Sequence, residues 1–177
     1  DMIDVVLSQE QQEKEQLLRQ FLAWRLAVRL EPLANQIGKA AKGKNGANLV
    51  HDLRVSCRKL RTVAKNFRYL FTDEDYAVIS LGLKTLAGNL GSIRELDVIT
   101  KEIKKARKNT YAEEAAHGLT VLKDTAKSIA DDKRKTVSAI VDGFAASRSY
   151  FALVEFVAEY HHLDQLTSVC QNPVVSE

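Results

Sequence analysis

The sequence predicts an all-α protein folded as an antiparallel bundle of long helices. Only two prolines and eight glycines interrupt its 177 residues, and such sparse punctuation favours long helices over many short strands. Hydrophobic residues make up 45% of the chain and charged residues 28%, a balance typical of a globular domain with a real core. No segment alternates polar and apolar residues with a period of two over a useful length, so no strands are predicted. We therefore expect a single domain over residues 1–177.

The first helix is predicted over residues 9–37, because apolar side chains recur there at steps of three and four residues. These apolar residues are Leu18, Phe21, Leu22, Leu26, Leu30 and Leu33. Pro32 predicts a kink or a break within this helix. The following stretch, residues 38–48, contains Gly43 and Gly46 and is expected to be a loop.

The rest of the chain predicts further helices joined by short loops. The second spans residues 49–71, and Thr72 with Asp73 supplies a capping signal for a third over residues 73–90. Gly91 and Ser92 interrupt the pattern before a short helix that ends near residue 108. A long helix over 112–147 and a last one over 150–166 follow, and the tail with Pro173 is expected to fray. Long helices joined in this way favour an antiparallel bundle.

Composition excludes several classes of protein. Cys57 and Cys170 are far apart and form no C-x-x-C motif, so neither a zinc cluster nor a disulfide framework is predicted, and a reducing, cytoplasmic location is expected. No stretch of 18 apolar residues occurs, which argues against a membrane span, and the N-terminus lacks a signal-peptide pattern. The net charge of +3 is too small to indicate a nucleic-acid partner by itself.

Residues 51–71 carry two different faces if they form a helix. One face, at about 100° per residue, is an apolar seam: Leu53, Cys57, Leu60, Ala64, Phe67 and Phe71. A second face, centred about 110° away, carries cationic residues at the same spacing, and we call this set the basic stripe: His51, Arg54, Arg58, Arg61, Lys65 and Arg68. Because the stripe borders the seam, its side chains are predicted to lean toward a neighbouring helix and line a groove.

A charged helix face is most often solvated surface, but this one differs from such a face. Solvated faces mix signs, commonly through Glu–Lys pairs one turn apart, whereas no acidic residue lies between Asp52 and Asp73. Arginines outnumber lysines four to two in this segment, and a guanidinium suits phosphate oxygens. Like charges one turn apart repel, and a bound anion would offset that repulsion. His51 fits either a structural histidine or a pH-dependent cationic contact to phosphate.

Two stretches of the chain carry recognisable motifs. The first is His51-x-x-Arg54-Val55-x-x-Arg58-Lys59-x-Arg61, a histidine followed by spaced arginines on a helix. The second is Leu90-Gly91-x-x-Arg94-x-x-Asp97-Val98, with Glu95 after Arg94. In both stretches the chain resembles the CHAD family, the conserved histidine α-helical domain, whose second element reads L-G-x-x-R-D-x-D-V, so that Glu95 stands in place of the first Asp. The resemblance covers about residues 9–166.

The resemblance implies an all-helical fold of two pseudo-symmetric bundles beside a basic groove, a module that binds inorganic polyphosphate, and association with polyphosphate granules. Carried over by position, the polyphosphate-binding residues would be His51, Arg54, Arg58, Lys59, Arg61, Lys65, Arg68, Lys84 and Arg94. Asp97 would pair with Arg94 and aim it, although an ordinary surface pair is as good an interpretation. A further basic run at residues 101–108 is explained by the helix macrodipole alone.

The chain departs from the family in one respect. The second lobe of a full member opens with its own histidine–arginine helix, whereas His117 here is followed by Thr120, Asp124 and Thr125. The resemblance is therefore to the N-terminal lobe only. The chain is either a fragment or a half-size protein whose homodimer would complete the two-lobed groove.

No enzymatic activity and no cofactor are predicted, because the chain has no glycine-rich phosphate loop or nucleophile elbow and the stripe has no carboxylates to hold Mg²⁺. Two alternative functions stay open. The first is non-specific binding of nucleic acid, since a row of cations contacts phosphates whatever they are attached to. The second is a metal-binding helical protein, although the adjacent His161 and His162 would point about 100° apart on a helix.

Overall fold

The computed structural model describes residues 9–160, which form α-helices and no strands. Seven α-helices follow one another in this range: α1 (Gln9–Ala41), α2 (Ala47–Asn66), α3 (Asp73–Asn89), α4 (Gly91–Lys108), α5 (Glu113–Arg134), α6 (Val137–Ala145) and α7 (Arg148–Tyr160). A 3-10 turn, Arg68–Leu70, connects α2 to α3. Thr72 caps α3 as predicted, because its hydroxyl accepts a hydrogen bond from the Asp75 amide at 3.1 Å. The predicted all-α helical bundle is confirmed.

The first helix is longer than the sequence predicts. It continues through Pro32 and ends at Ala41. Proline has no N–H group, so the carbonyl of Val28, four residues earlier, lacks its helical hydrogen-bond donor. Val28 and Pro32 are both exposed, and water can therefore donate to that carbonyl. Gly43, two residues beyond the end of this helix, has a φ of 76°, which suits glycine. The predicted loop therefore shrinks to residues 42–46.

Two predicted helices are interrupted. The helix predicted over 49–71 ends at Asn66, and the one predicted over 112–147 is divided at Lys135 and Thr136 into α5 and α6. A straight α-helix would place Leu70 about 100° away from the apolar seam. In the structure Leu70 is buried in the core, and the 3-10 turn brings it there. Because of the second interruption, α5 packs along α4, whereas α6 packs against α1 and α3.

The helices divide into a bundle and a hairpin. Helices α1, α2, α3, α6 and α7 supply most of the hydrophobic core. Helices α4 and α5 pack chiefly against each other, and α4 also contacts α2 and α3. Ile93, near the start of α4, belongs to the core cluster, whereas the buried residues of α5 are the small Ala126 and Ala130. The α4–α5 hairpin is therefore joined to the hydrophobic core mainly through the start of α4, where α4 contacts α2.

Gly82 sets the distance between α3 and α7. A Cβ added there would overlap the Ser149 hydroxyl, which donates a hydrogen bond of 2.8 Å to the Val78 carbonyl. We expect Gly82→Ala to lower the free energy of unfolding by about 2 kcal/mol, because packed helices must separate to accept the extra carbon. The matched control is Gly88→Ala, where a Cβ meets nothing within 4 Å, and it should stabilise by about 0.5–1 kcal/mol. Urea denaturation measures both, and equal effects would contradict this account of Gly82.

Candidate functional site

The apolar seam of α2 fixes the orientation of the basic stripe. Leu53, Cys57 and Leu60 have no exposed surface, and Ala64 is almost completely buried. Burial raises the pKa of the Cys57 thiol to about 12, against a smaller lowering by the charges of Arg54 and Arg61. The thiol therefore stays protonated at neutral pH and serves as a packing group. With this face held in the core, the bordering stripe faces α3 and α4, as the sequence predicts.

The stripe borders a cleft of about 320 Å³ between α2, the end of α3 and the start of α4. We call it the basic cleft. Its basic lining consists of His51, Arg54, Arg58, Arg61 and Arg94, beside the small or apolar Val55 and Ala87. Within residues 9–160, no carboxylate belongs to this lining. Arg94 comes from α4, so the two sequence stretches that carry the family resemblance meet here.

Arg54 is the most constrained cation of the basic cleft. Its half-buried guanidinium donates a hydrogen bond to the Ala87 carbonyl in the last turn of α3. Gly91 lies against it, since a Cβ at that position would stand 3.1 Å from Arg54 Nη1. Glycine thus permits the start of α4 to approach the arginine closely. A guanidinium has five N–H donors, so Arg54 can hold the Ala87 carbonyl and still donate to an anion.

A second, smaller cavity continues the row along α2. Its volume is about 210 Å³, and it shares Arg58 and Arg61 with the basic cleft. Lys65 lines it one turn further on, opposite Tyr76 and Ser80 of α3. Five of the six stripe residues, from His51 to Lys65, therefore line adjoining cavities.

Arg68 is the stripe residue that lies outside this row. It belongs to the 3-10 turn after α2, and its Nη2 atom is 2.7 Å from an Asp73 carboxylate oxygen. Its guanidinium carbon also lies 5.1 Å from the centre of the Tyr76 ring. The carboxylate of the next helix therefore offsets the charge of Arg68, because α2 ends before the pattern in the sequence does.

Lys59 and Lys84 are exposed and line neither cavity. Lys59 follows Arg58 and points about 100° away from it around α2, which takes it off the stripe. Lys84 stands four residues after Ser80 and three before Ala87, both of which line the cavities. Residues at these spacings share a helix face, so Lys84 stands on the face of α3 that the stripe meets.

Comparison with known proteins identifies the family. The family model of the CHAD domain matches residues 15–169, nearly the whole chain. The chain belongs to the CHAD family. No curated protein and no solved structure gives a significant match. The resemblance inferred from the two motifs is thereby confirmed, and the CHAD domain is associated with binding of polyphosphate or triphosphate.

Asp97 of this CHAD domain does not pair with Arg94, contrary to the pairing considered from the sequence. Its carboxylate forms an ion pair with Arg134 of α5. The exposed fraction of the side chain is 7% for Asp97 and 15% for Arg134, so the pair is largely removed from solvent. Arg134 also pairs with the exposed Asp131. Asp97 therefore fastens α4 to α5, and Arg94 has no carboxylate partner within residues 9–160.

The buried pair predicts an asymmetry between the two aspartates that contact Arg134. We expect Asp97→Ala to lower the free energy of unfolding by about 3 kcal/mol, because a guanidinium would lose its buried partner. Asp131→Ala removes an exposed partner of the same arginine and should cost less than about 1 kcal/mol. Urea denaturation measures both variants. Similar small losses would mean that Asp97 is not the anchor of the hairpin.

The described residues offer neither a metal site nor a single membrane-spanning helix. Within residues 9–160, no group of three or more His, Cys, Asp or Glu side chains is placed to hold a metal ion. His161 and His162 lie outside the described residues. No single helix in the described range has the length and apolarity to cross a membrane, although Glu113–Ala145 and Arg148–Tyr160, bent by 51°, pass that test together.

Proposed function

We propose that this CHAD domain is a non-catalytic module that binds linear inorganic polyphosphate in the basic cleft. The observation that carries the proposal is the lining of the cleft, where four arginines and a histidine converge without a carboxylate. Like charges gathered in this way repel one another. A bound polyanion neutralises them and relieves this repulsion, which favours binding. Membership of the CHAD family supports the choice of polyphosphate.

The spacing of the cations suits a linear polymer. From His51 to Lys65 is 14 residues, which is about 21 Å along an α-helix at 1.5 Å per residue. Consecutive stripe residues stand about one turn apart, so an extended chain of phosphates along α2 meets one cation after another. The planar guanidinium groups can each donate two N–H bonds to phosphate oxygens. Arg54 is already oriented by the Ala87 carbonyl, which reduces the conformational entropy lost on binding.

Binding of this kind depends steeply on salt. The four arginines of the basic cleft and Lys65 are five cations. If each neutralises one phosphate, at about 0.7 released counterion per contact, the slope of log K against log salt is near −3.5. Affinity should then fall about a hundredfold between about 50 and 200 mM salt. A slope near zero would argue against a phosphate-binding row.

The lining favours polyphosphate over single-stranded nucleic acid. Proteins that hold single strands interleave exposed aromatic rings with the cations, so that bases can stack on them. In the described part of the chain, no Phe, Tyr or Trp lines the basic cleft, and Tyr76 is the one aromatic residue that lines the adjoining cavity. Tyr69 is exposed but lies on the 3-10 turn beyond the end of α2.

Competition between polymers tests the proposal. Labelled long-chain polyphosphate is bound to the full chain and displaced, at two salt concentrations, by unlabelled polyphosphate or by duplex DNA at equal phosphate. We expect polyphosphate to displace the label at lower concentration under both conditions. If DNA is the better competitor, the domain is a non-specific nucleic-acid binder and the proposal is wrong.

The homodimer expected from the sequence stays a prediction. Apolar side chains are exposed on the α4–α5 hairpin, among them Val98, Ile99, Val121, Leu122 and Ile129. A second copy that covered them would bring a second basic cleft into the same particle. Sizing in solution with and without polyphosphate measures this, and a monomer under both conditions would contradict it.

A further inference from the structure

The basic cleft continues onto the α4–α5 hairpin through two more cavities. The first has a volume of about 470 Å³ and shares His51 and Arg94 with the basic cleft. The second has a volume of about 550 Å³ and shares Thr100, Lys104 and Lys127 with the first. Each cavity thus shares lining residues with the next, and the series leads from α2 to the far end of α4.

Lysines and arginines contribute to the lining of both cavities. The farther one is lined by five of them, which we call the hairpin cations: Lys104, Arg107, Lys108, Lys123 and Lys127. Among the residues that the structure describes, no acidic one lines that cavity. Lys123 lies 3.0 Å from the carboxylate of its exposed neighbour Asp124, whereas the other four have no carboxylate within 4.0 Å in the described part of the chain. The hairpin cations therefore form a second region of positive potential.

The connecting cavity holds one acidic side chain. Asp97 lines it, but its carboxylate is paired with Arg134, which lines the same cavity. One oxygen of Asp97 and the Nε atom of Arg134 are both buried there without a hydrogen-bond partner in the described range. With Asp97 offset by Arg134, the net positive charge of this passage comes from four other cations that line it: Arg94, Lys101, Lys104 and Lys127.

The macrodipole of α4 does not account for this arrangement. It favours cations anywhere in the last turn, yet Lys105 lies in that turn and lines neither cavity. Lys123 and Lys127 lie in the interior of α5, where the dipole favours neither sign. Their convergence with Lys104 and Lys108 across two helices is instead what an anion-binding groove requires.

The two cavities on the α4–α5 hairpin together form what we call the hairpin groove. We propose that this groove is a second phosphate-binding segment, so that one long polyphosphate chain occupies the basic cleft and the hairpin groove together. This inference rests on the proposed function of the basic cleft. From Arg94 to Lys108 is 14 residues, or about 21 Å of helix, which roughly doubles the length of the cationic row on α2. The hairpin segment makes the domain selective for long polymers, because a short one fills the basic cleft without reaching the hairpin.

The test compares two ligands on the full chain: long-chain polyphosphate and tripolyphosphate. The variant is Lys104→Glu with Lys108→Glu, and the control is Lys105→Glu with Lys133→Glu, which makes the same charge change at exposed positions outside the groove. We expect the variant to bind long-chain polyphosphate about tenfold more weakly than the control, with a salt slope smaller by about 1–2. Affinity for tripolyphosphate should be equal in the two proteins.

Two results separate the failure of this inference from that of the proposed function. If long-chain affinity is the same in the variant and the control, the hairpin takes no part in binding and the inference is overturned. If the unmodified chain binds neither polymer, the proposed function itself has failed. Circular dichroism of each protein establishes that both comparisons are made on folded chains.

Discussion

Replacement of Arg58 and Arg61 by glutamate is expected to abolish binding of polyphosphate and leave the helical content unchanged. Both arginines line the basic cleft and the adjoining cavity, so the change reverses the charge where the two meet. Four units of charge are altered, and two acidic groups would then face the phosphates directly. We expect an affinity loss of at least about a hundredfold, because like charges at a contact cost several kcal/mol. Titration of labelled polyphosphate at low salt measures it.

The fold should tolerate this double change because both side chains are exposed. A glutamate at position 61 precedes Lys65 by four residues, the favourable orientation for a helical ion pair. A glutamate at position 58 would lie four residues from Arg54 and relieve the repulsion there. The midpoint of thermal unfolding should therefore stay the same or rise slightly.

The control for this prediction is Lys39→Glu with Lys42→Glu. Both lysines are exposed near the end of α1, and neither lines a cavity of the groove. This control makes the same change in net charge and should weaken binding only slightly. If the arginine variant instead melts while its folded fraction still binds polyphosphate at low temperature, the stripe is structural and the proposed site is wrong.

The parts of the site that the sequence predicts correctly are those that depend on helical period alone. The seam of Leu53, Cys57 and Leu60 is buried, and the stripe beside it lines a cleft. Both follow because a continuous helix fixes the angle between faces. The pattern fails where the helix stops, since the core position of Leu70 requires a 3-10 turn and the same turn sends Arg68 to Asp73.

Contacts between distant segments could not be predicted from one sequence. Spacing suggested that Asp97 pairs with Arg94 on its own helix, whereas the structure pairs it with Arg134 on the next one. The basic run at the end of α4 looked like an ordinary response to the macrodipole. Its convergence with Lys123 and Lys127 becomes visible only when α5 is folded back along α4. Local periodicity carries no information on which helix will lie opposite.

The structure explains why a glycine stands at position 91 of the second motif. In the sequence it serves as an interruption between two helices. In the structure it lies where a Cβ would crowd Arg54 Nη1 at 3.1 Å. The glycine of one motif therefore makes room for the arginine of the other. The two motifs describe a single site, assembled where α2, α3 and α4 meet.

Replacement of Leu60 by aspartate is expected to unfold the domain, in contrast to the arginine variant on the same helix. Leu60 has no exposed surface and belongs to the core cluster shared by α2 and its neighbours. The change removes a buried leucine, worth about 2–5 kcal/mol, and desolvates a carboxylate without a partner. Together these losses approach the whole stability of a typical domain, about 5–15 kcal/mol. Circular dichroism should show loss of helix at 25 °C or a large fall in the unfolding midpoint.

Lys59→Asp is the matched control, because it places the same side chain one residue earlier on α2, at an exposed position. It should change the free energy of unfolding by less than about 0.5 kcal/mol. A stable Leu60→Asp protein would mean that the seam does not face the core, and the orientation of the basic stripe would then be lost as well. Binding and folding thus depend on two faces of one helix, and these substitutions separate them.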